Sequence, residues 1–427
     1  MQGDWLMGEV ARALLGIGVF LALAWLLSEN RRAINLRQAF GGLVMQIGLA
    51  IVLTQVPAVV NGIGNIARGV DRLQQSAQAG AVFVFGYLGG GLQPFEAVSP
   101  ARSTFIFALQ VVPAIFLVSA LAAVLWHWGI LRWIVRGAAW AFGKAFGVSG
   151  PVGVSTSACI FLGMVEAPLL VRPLLPKVSR GELFIIMVDG LSVIGGSTMI
   201  LIGGLLAARI PGAFAQLLSA TLISMPMAIT MARIIIPGQS HTTLPQVQLS
   251  SQYKNSLDAV TQGTIGAVKI AAYVIALLIV FIGIIDLVDT LLALFWPAAQ
   301  PVTLSTLLGT LLLPFSWLMG VPMPDLTVLG GLLGAKVAAN EVVAYSQLIA
   351  LPEDALSDKT IHIATYALGS FGNFGSVAIL IGTLAAMAPE RKDDIIALGI
   401  KALFAAFLTS CMTGSVIGIL STVFGQV

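Results

Sequence analysis

Charged residues are scarce in this chain of 427 residues. They make up 10% of it, whereas hydrophobic residues make up 58% and the mean hydropathy is +0.97. A soluble domain carries roughly 25% charged residues, so this chain cannot cover a water-facing surface, and lipid must be its main solvent. Its length suffices for about a dozen membrane-spanning helices. The net charge of +3 is modest and gives no indication of a nucleic-acid partner.

Side chains that commonly carry catalysis or bind metals are also few. The two cysteines, Cys159 and Cys411, lie in apolar segments and are interpreted as reduced core thiols rather than a disulfide. The three histidines have no companions with metal-ligand spacing. The sequence contains no phosphate-binding P-loop and no nucleophile with a base, which argues against both ATP-driven pumping and an enzyme. We therefore expect no cofactor and no more than a weak metal site.

Eight apolar runs predict membrane-spanning helices, and so an all-α polytopic membrane protein. The positive-inside rule orients them. Loops on one side carry 15 of the 22 lysines and arginines, which makes that side cytoplasmic. Both termini are then external, in a multi-pass protein of the cell membrane, the inner membrane of a bacterium. The predicted spans are 11–27, 39–55, 104–127, 183–207, 211–232, 270–295, 361–387 and 395–424.

Two further apolar stretches, 146–175 and 322–350, contain glycine, proline and a polar centre. Such interrupted segments are typical of re-entrant hairpins, because non-helical backbone at membrane depth must be satisfied by protein or water. The two hairpins would enter from opposite sides of the bilayer. A third stretch, 59–78, has apolar residues at helical spacing and predicts an amphipathic helix on the bilayer surface, with a solvated loop as the alternative.

A motif is duplicated in the chain. GSTMILIGGLLA begins at Gly196 and GSVAILIGTLAA at Gly375, and eight of their twelve positions are identical at an offset of 179. Each copy follows an acidic residue in an apolar segment, Glu166 or Glu341, and a midplane carboxylate costs several kcal/mol unless it is paired, hydrated or protonated. Inverted repeats that each carry a buried carboxylate indicate a secondary transporter. The predicted parts are the N-terminal helices (1–145), the first repeat (146–232), a scaffold-helix region (233–300) and the second repeat (301–427).

Polar residues cluster in the second repeat. Asn340 precedes Glu341, and Asn373 and Ser376 lie in a glycine-rich stretch that is predicted to break the seventh helix. A broken helix leaves backbone N–H and C=O groups free. Together with Asn, Ser and Glu side chains, these groups can bind vicinal hydroxyls by donating and accepting at once.

Matching breaks are predicted in the first repeat, at Gly163 and within 189–197, and Gly163 and Thr198, which follows the second break, are candidate substrate residues. The glycines of these breaks have an alternative role in close helix packing. Asp189 is open to two interpretations: it is either a proton carrier near mid-helix or a structural partner of a neighbour such as Arg172.

Five stretches of the chain carry a family resemblance: LLSENRRAINLRQAFGGLVMQ, GMVEAPLLVRPLL, LPFSWLMGVPMPD, LLGAKVAANEVVAY and YALGSFGNFGSVAI. On these motifs the chain resembles the concentrative nucleoside transporters nearly end to end. The resemblance implies a homotrimer in which a transport part, made of two hairpins and two broken helices, moves past a scaffold. It also implies that Glu341, Asn373 and Ser376 hold the ribose of a nucleoside and that Phe371 lies beside the substrate.

The first repeat departs from the family where the nucleobase is contacted. The family has Gln and Thr at the positions of Met164 and Val165, between Gly163 and Glu166, which are both kept. Two apolar side chains cannot make the hydrogen bonds of Gln and Thr. Base recognition is therefore expected to be looser, or directed at a different base or another ring.

The ion site departs from the family as well. Sodium-coupled members use an Asn and a Ser or Thr where this chain has Cys159 and Val193, while backbone carbonyls such as those of Leu162 and Ile194 remain. Sodium is a hard cation and prefers oxygen ligands, so we expect weak or absent sodium binding. Proton coupling becomes the leading hypothesis. The residues that would titrate are Glu166, Glu341 or Asp189.

The sequence thus predicts an ion-coupled nucleoside importer that works by alternating access and is driven by protons. One alternative is a sodium-coupled symporter that uses mostly backbone ligands. A second is a transporter of another ribosylated or hydroxylated solute. A third is a membrane receptor that binds nucleoside without translocating it.

Overall fold

The computed structural model describes residues 2–94, 105–207, 209–238, 247, 249–251, 253–296 and 302–425, and these residues form only helices, turns and loops. The N-terminal helices are α1 (Gln2–Leu26), α2 (Leu36–Gln55), α3 (Pro57–Phe85) and α4 (Phe107–Gln110). Next come α5 (Pro113–His127), α6 (Ile130–Phe146), α7 (Gly150–Leu162), α8 (Glu166–Leu169), α9 (Arg180–Ser192), α10 (Gly196–Leu206) and α11 (Ala213–Ile235). The last set is α12 (Ser256–Phe295), α13 (Leu304–Leu318), α14 (Leu326–Ala338), α15 (Glu341–Ala350), α16 (Asp358–Leu368), α17 (Phe374–Met387) and α18 (Lys392–Phe424).

The order of elements recurs along the chain. The set from α5 to α11 runs through two single helices, a first interrupted pair, a second interrupted pair and a closing long helix. The set from α12 to α18 runs through the same order. The recurrence therefore extends to α5 and α12, upstream of residues 146 and 301. These two helices also pack side by side.

Seven helical stretches of the described chain are long and apolar enough to cross a bilayer. They coincide with the first six predicted spans and the last, although α12 is 40 residues long and begins at Ser256 rather than near 270. The predicted seventh span, 361–387, consists of α16 and α17 with a break between them. The fourth span is broken in the same way between α9 and α10.

The two predicted hairpins are pairs of short helices. The first comprises α7 and α8, separated by Gly163, Met164 and Val165, and it continues as a 3-10 helix to Lys177. The second comprises α14 and α15, separated at Ala339 and Asn340. We refer to residues 150–177 as hairpin 1 and residues 326–350 as hairpin 2.

The stretch predicted as an amphipathic helix is helical, which excludes the loop alternative. α3 is longer than predicted and has 29 residues. Its buried face carries Ile63, Ala67 and Val70 at helical spacing. The position of α3 on the bilayer surface stays a prediction.

Two helices that precede the hairpins, α6 and α13, were not among the predicted spans. They have 17 and 15 residues, fewer than the roughly 20 that a span requires. α13 packs along hairpin 2, and a Cβ at Gly309 would lie 2.6 Å from the Thr327 carbonyl oxygen. Glycine therefore permits this close backbone approach.

Burial is distributed unevenly among the long helices. The most apolar windows of the α9–α10 pair and of α11 are 83% buried, whereas that of α12 is 6% buried. α12 thus presents an apolar surface along nearly its whole length, whereas the broken α9–α10 helix lies in the interior of the fold.

Candidate functional site

The four helix breaks surround one cavity of about 660 Å³. The wall from the first repeat comes from residues 162–166 and 195–201, and the wall from the second from residues 339–342 and 371–383. α12 closes the remaining side with Tyr273 and Phe281. The cavity is lined by all ten residues that the sequence analysis named for substrate: Gly163, Met164, Val165, Glu166, Thr198, Asn340, Glu341, Phe371, Asn373 and Ser376.

The second-repeat wall is held together by asparagine caps. Asn340 precedes α15, and its side-chain oxygen accepts a hydrogen bond from the Val343 backbone N–H at 2.9 Å. Asn373 caps α17 in the same way, through the Ser376 N–H at 2.7 Å. Asn residues at these positions satisfy backbone donors that a helix start leaves free. Two helix N-termini, with their partial positive charge, therefore face the cavity.

Glu341 is joined directly to the second of these caps. The Asn373 Nδ2 group donates to Glu341 Oε2 at 3.2 Å; Glu341 is 5% exposed and Asn373 1% exposed. Glu341 also begins α15, where a helix N-terminus favours negative charge. The carboxylate is thus fixed at the cavity wall as a hydrogen-bond acceptor, with an amide and a hydroxyl beside it.

The first-repeat wall is less polar. Gly163 has φ +93°, a conformation that favours glycine, and it directs the chain from α7 into the turn before α8. Met164 and Val165 form that turn and present apolar side chains to the cavity. Hydrogen-bonding side chains on this side come from Glu166, at the start of α8, and from the first turn of α10.

The two first-repeat breaks touch each other. A Cβ at Gly195 would lie 2.6 Å from Gly163 Cα.

We expect Gly195→Ala to separate the breaks and to lower the free energy of unfolding by about 1–3 kcal/mol, as overpacking does. Thermal unfolding of the purified protein measures this. The matched control is Gly283→Ala, where a Cβ would meet nothing within 4 Å, and equal midpoints for the two variants would contradict the prediction.

The ion-coupling candidates lie around the same breaks but mostly behind the cavity wall. Leu162 lines the cavity, whereas Cys159, Val193 and Ile194 are buried outside it. In the part of the chain that the structure describes, no group of three or more His, Cys, Asp or Glu side chains is placed to hold a metal ion.

Asp189 is fully buried in α9 and does not line the cavity. Its Oδ2 atom accepts a hydrogen bond from Thr156, on α7. Its Oδ1 atom is buried without a hydrogen-bond partner among the described residues. The suggested pairing with Arg172 is therefore wrong, since the partner is a hydroxyl of hairpin 1.

Lys336 in α14 is a buried charge that the sequence analysis missed. Its Nζ atom donates to the Ala367 carbonyl at 2.8 Å and to the Ser410 hydroxyl at 2.9 Å. It is fully buried. The argument that drew attention to the glutamates, an ionisable residue in an apolar segment, applies equally to Lys336.

Comparison with known proteins bears on which class of substrate the cavity binds. A family model described as "Na+ dependent nucleoside transporter C-terminus" matches residues 216–418, and its N-terminal counterpart matches residues 15–88. A third, described as "Nucleoside recognition", matches residues 108–209.

Curated relatives match over nearly the whole chain. The putative nucleoside permease NupX of Escherichia coli is 34% identical over 417 residues, which cover 96% of this chain and 98% of the relative. The nucleoside permease NupC of Helicobacter pylori is 30% identical, with 95% and 97% covered. The sodium/nucleoside cotransporter 1 of Rattus norvegicus is also 30% identical, with 95% and 63% covered.

Solved structures of a protein titled CNTnw share the fold. Its inward-facing substrate-bound state matches with a TM-score of 0.88 at 32% identity, covering 98% of this chain and 99% of that one. A variant in an outward-facing state matches with a TM-score of 0.89 at the same identity and coverage.

Proposed function

Since this chain belongs to the concentrative nucleoside transporter family, we propose that it imports nucleosides by alternating access, driven by a proton gradient. Its relatives are membrane transporters rather than enzymes. The observation that carries the proposal is the single cavity between the four helix breaks, lined by all ten candidate substrate residues.

The polar wall of the second repeat supports ribose as the group that is bound there. Glu341 accepts hydrogen bonds, Asn373 both donates and accepts, and Ser376 offers a hydroxyl. Vicinal hydroxyls need this combination of donors and acceptors. Phe371, on the same wall, offers an aromatic face to the substrate.

Transport is tested by counterflow. Proteoliposomes that contain the purified protein and are loaded with unlabelled uridine or adenosine should accumulate the labelled nucleoside from outside. A receptor that binds without translocating gives no counterflow, and that result would overturn the proposal.

A second candidate cargo is a hydroxylated solute whose other ring is apolar. The observation in its favour is the turn formed by Met164 and Val165, which presents no hydrogen-bonding side chain to the cavity. Competition of uptake by uridine, adenosine and free ribose separates the two cargoes. A nucleoside transporter is inhibited by the nucleosides far more strongly than by ribose.

Met164→Gln combined with Val165→Thr is expected to tighten pyrimidine nucleoside binding about tenfold. The pair restores side chains that donate and accept at the nucleobase, and each hydrogen bond contributes about 0.5–1.5 kcal/mol. Isothermal titration with uridine on the purified protein measures the change. The control is Leu169→Gln, at an exposed position at the end of α8, and unchanged uridine affinity in the double variant would place the base elsewhere.

Proton coupling is supported by the side chains that this chain has at the two positions where sodium-coupled members of the family carry side-chain oxygens. A thiol at Cys159 and an isopropyl group at Val193 are poor ligands for a hard cation. Asp189 lies one helical turn before Val193, and its partner Thr156 lies one turn before Cys159. A carboxylate thus lies close to the position of the missing sodium ligands. The alternative is sodium held mainly by backbone carbonyls such as those of Leu162 and Ile194.

The assembly and orientation extend the proposal. We propose a homotrimer in the bacterial inner membrane, with both termini external and α12 covered by lipid or by neighbouring subunits. The apolar, barely buried surface of α12 supports this arrangement. Hairpins 1 and 2 would then enter the bilayer from opposite faces.

A further inference from the structure

Arg209 follows α10 and reaches the end of hairpin 2. Its Nη1 atom donates to the Leu348 carbonyl at 2.8 Å and to the carbonyl of Leu351, which caps α15, at 2.5 Å. Its Nη2 atom donates to the Pro352 carbonyl at 2.8 Å. Helix ends leave such carbonyls without intrahelical partners, so one guanidinium satisfies the terminus of hairpin 2.

Arg391 makes the corresponding contact at the other hairpin. It follows α17, and its Nη1 atom donates at 2.7 Å to the carbonyl of Val178, which caps the last helix of hairpin 1. The same atom lies 3.4 Å from the Pro176 carbonyl. Its Nε atom donates to Asp394 at 3.0 Å, and Asp394 also accepts from Arg180 at 2.8 Å.

The two arginines occupy related positions in the repeats. α10 contains all but the last residue of the first copy of the duplicated motif, and α17 contains the whole of the second. Each arginine stands three or four residues after its helix and contacts the hairpin of the other repeat. By the positive-inside rule, the Arg209 contact lies on the external side of the membrane and the Arg391 contact on the cytoplasmic side.

We propose that Arg209 and Arg391 are positioning residues that fasten each hairpin to the broken helix of the opposite repeat and so hold the nucleoside cavity together. The cavity walls come from both repeats, and these contacts join the repeats away from the substrate. The proposal rests on the proposed function for its ligand. A planar guanidinium can donate to several carbonyls at once, which the single ammonium of lysine does less well.

Hydrogen exchange measured by mass spectrometry tests the fastening without any substrate. In Arg209→Gln, amide exchange should rise in peptides covering 341–352 and stay at the parent level in those covering 166–178. In Arg391→Gln the pattern should be reversed. Equal exchange in both regions, whether raised or unchanged, would overturn the proposal, because a general loss of stability is not selective between the hairpins.

Nucleoside binding provides the functional readout. Both Gln variants should raise the uridine Kd about tenfold, and the Lys variants should fall between them and the parent. Arg136→Gln, at an exposed position in α6, should match the parent in exchange and in Kd. If a Gln variant does not fold, the Lys variant takes its place in the exchange experiment with the same selective pattern expected. If the parent protein binds no nucleoside, the proposed function is contradicted. The hydrogen-exchange result then tests by itself whether the two arginines hold the hairpins in place.

Discussion

Glu341→Gln is expected to reduce nucleoside uptake about a hundredfold or more. Glu341 is a buried acceptor at the cavity wall, fixed by Asn373 and by the start of α15. The glutamine amide oxygen can keep the bond from Asn373, but its NH2 group then replaces an acceptor that the ribose hydroxyls need. Hydrogen bonds to charged groups contribute about 1.5–3 kcal/mol each, and two of them account for the expected loss.

The measurement is initial uptake of labelled uridine in cells that lack their own nucleoside transporters, with the amount of protein in the membrane determined in parallel. Glu353→Gln is the matched control, since it makes the same change in an exposed loop after α15. The control should transport at the parent rate. Undiminished uptake by Glu341→Gln would remove this carboxylate from the substrate site.

Uptake by the unaltered protein is expected to be the same in sodium and in choline, and to rise as the external pH falls. The reason is the replacement of oxygen-bearing side chains by Cys159 and Val193, next to the buried carboxylate of Asp189. In proteoliposomes, an inward proton gradient alone should drive accumulation and a sodium gradient alone should not. Strict dependence on sodium would contradict proton coupling and favour the backbone-ligand alternative.

Cys159→Asn combined with Val193→Ser offers a gain-of-function test of the same idea. Restoring two side-chain oxygens beside the carbonyls of Leu162 and Ile194 should make uptake respond to sodium. Cys411→Asn, at a buried cysteine of α18, is the control. Its uptake should stay independent of sodium. A double variant that transports but stays indifferent to sodium would show that these positions do not form the ion site.

Much of the architecture could be predicted because membrane chemistry constrains it strongly. Spans long enough to cross the bilayer stand out by hydropathy, and the interrupted segment around Gly163 and the glycine-rich stretch 369–375 stand out against them. The duplicated motif fixed which breaks correspond. The ten substrate candidates could be gathered in advance because family motifs contain nine of them and the duplicated motif contains Thr198, and the structure brings all ten to one cavity.

What could not be predicted depends on contacts distant in sequence. α6 and α13 are too short for the span criterion and are stabilised by packing on the hairpins. The α12 wall of the cavity, with Lys269, Tyr273 and Phe281, comes from a helix outside both predicted hairpins and both helix breaks, so its place at the cavity could not be read from the sequence. The choice of Thr156 rather than Arg172 as the partner of Asp189 follows from how hairpin 1 packs against α9.

The most direct test of the whole account is a structure of the purified protein determined with a bound nucleoside. We predict the ribose hydroxyls within hydrogen-bond distance of Glu341 and Asn373, and the base against Met164 and Val165. Nucleoside density outside the cavity formed by the four helix breaks, or bound there with its ribose turned away from Glu341, would contradict the account.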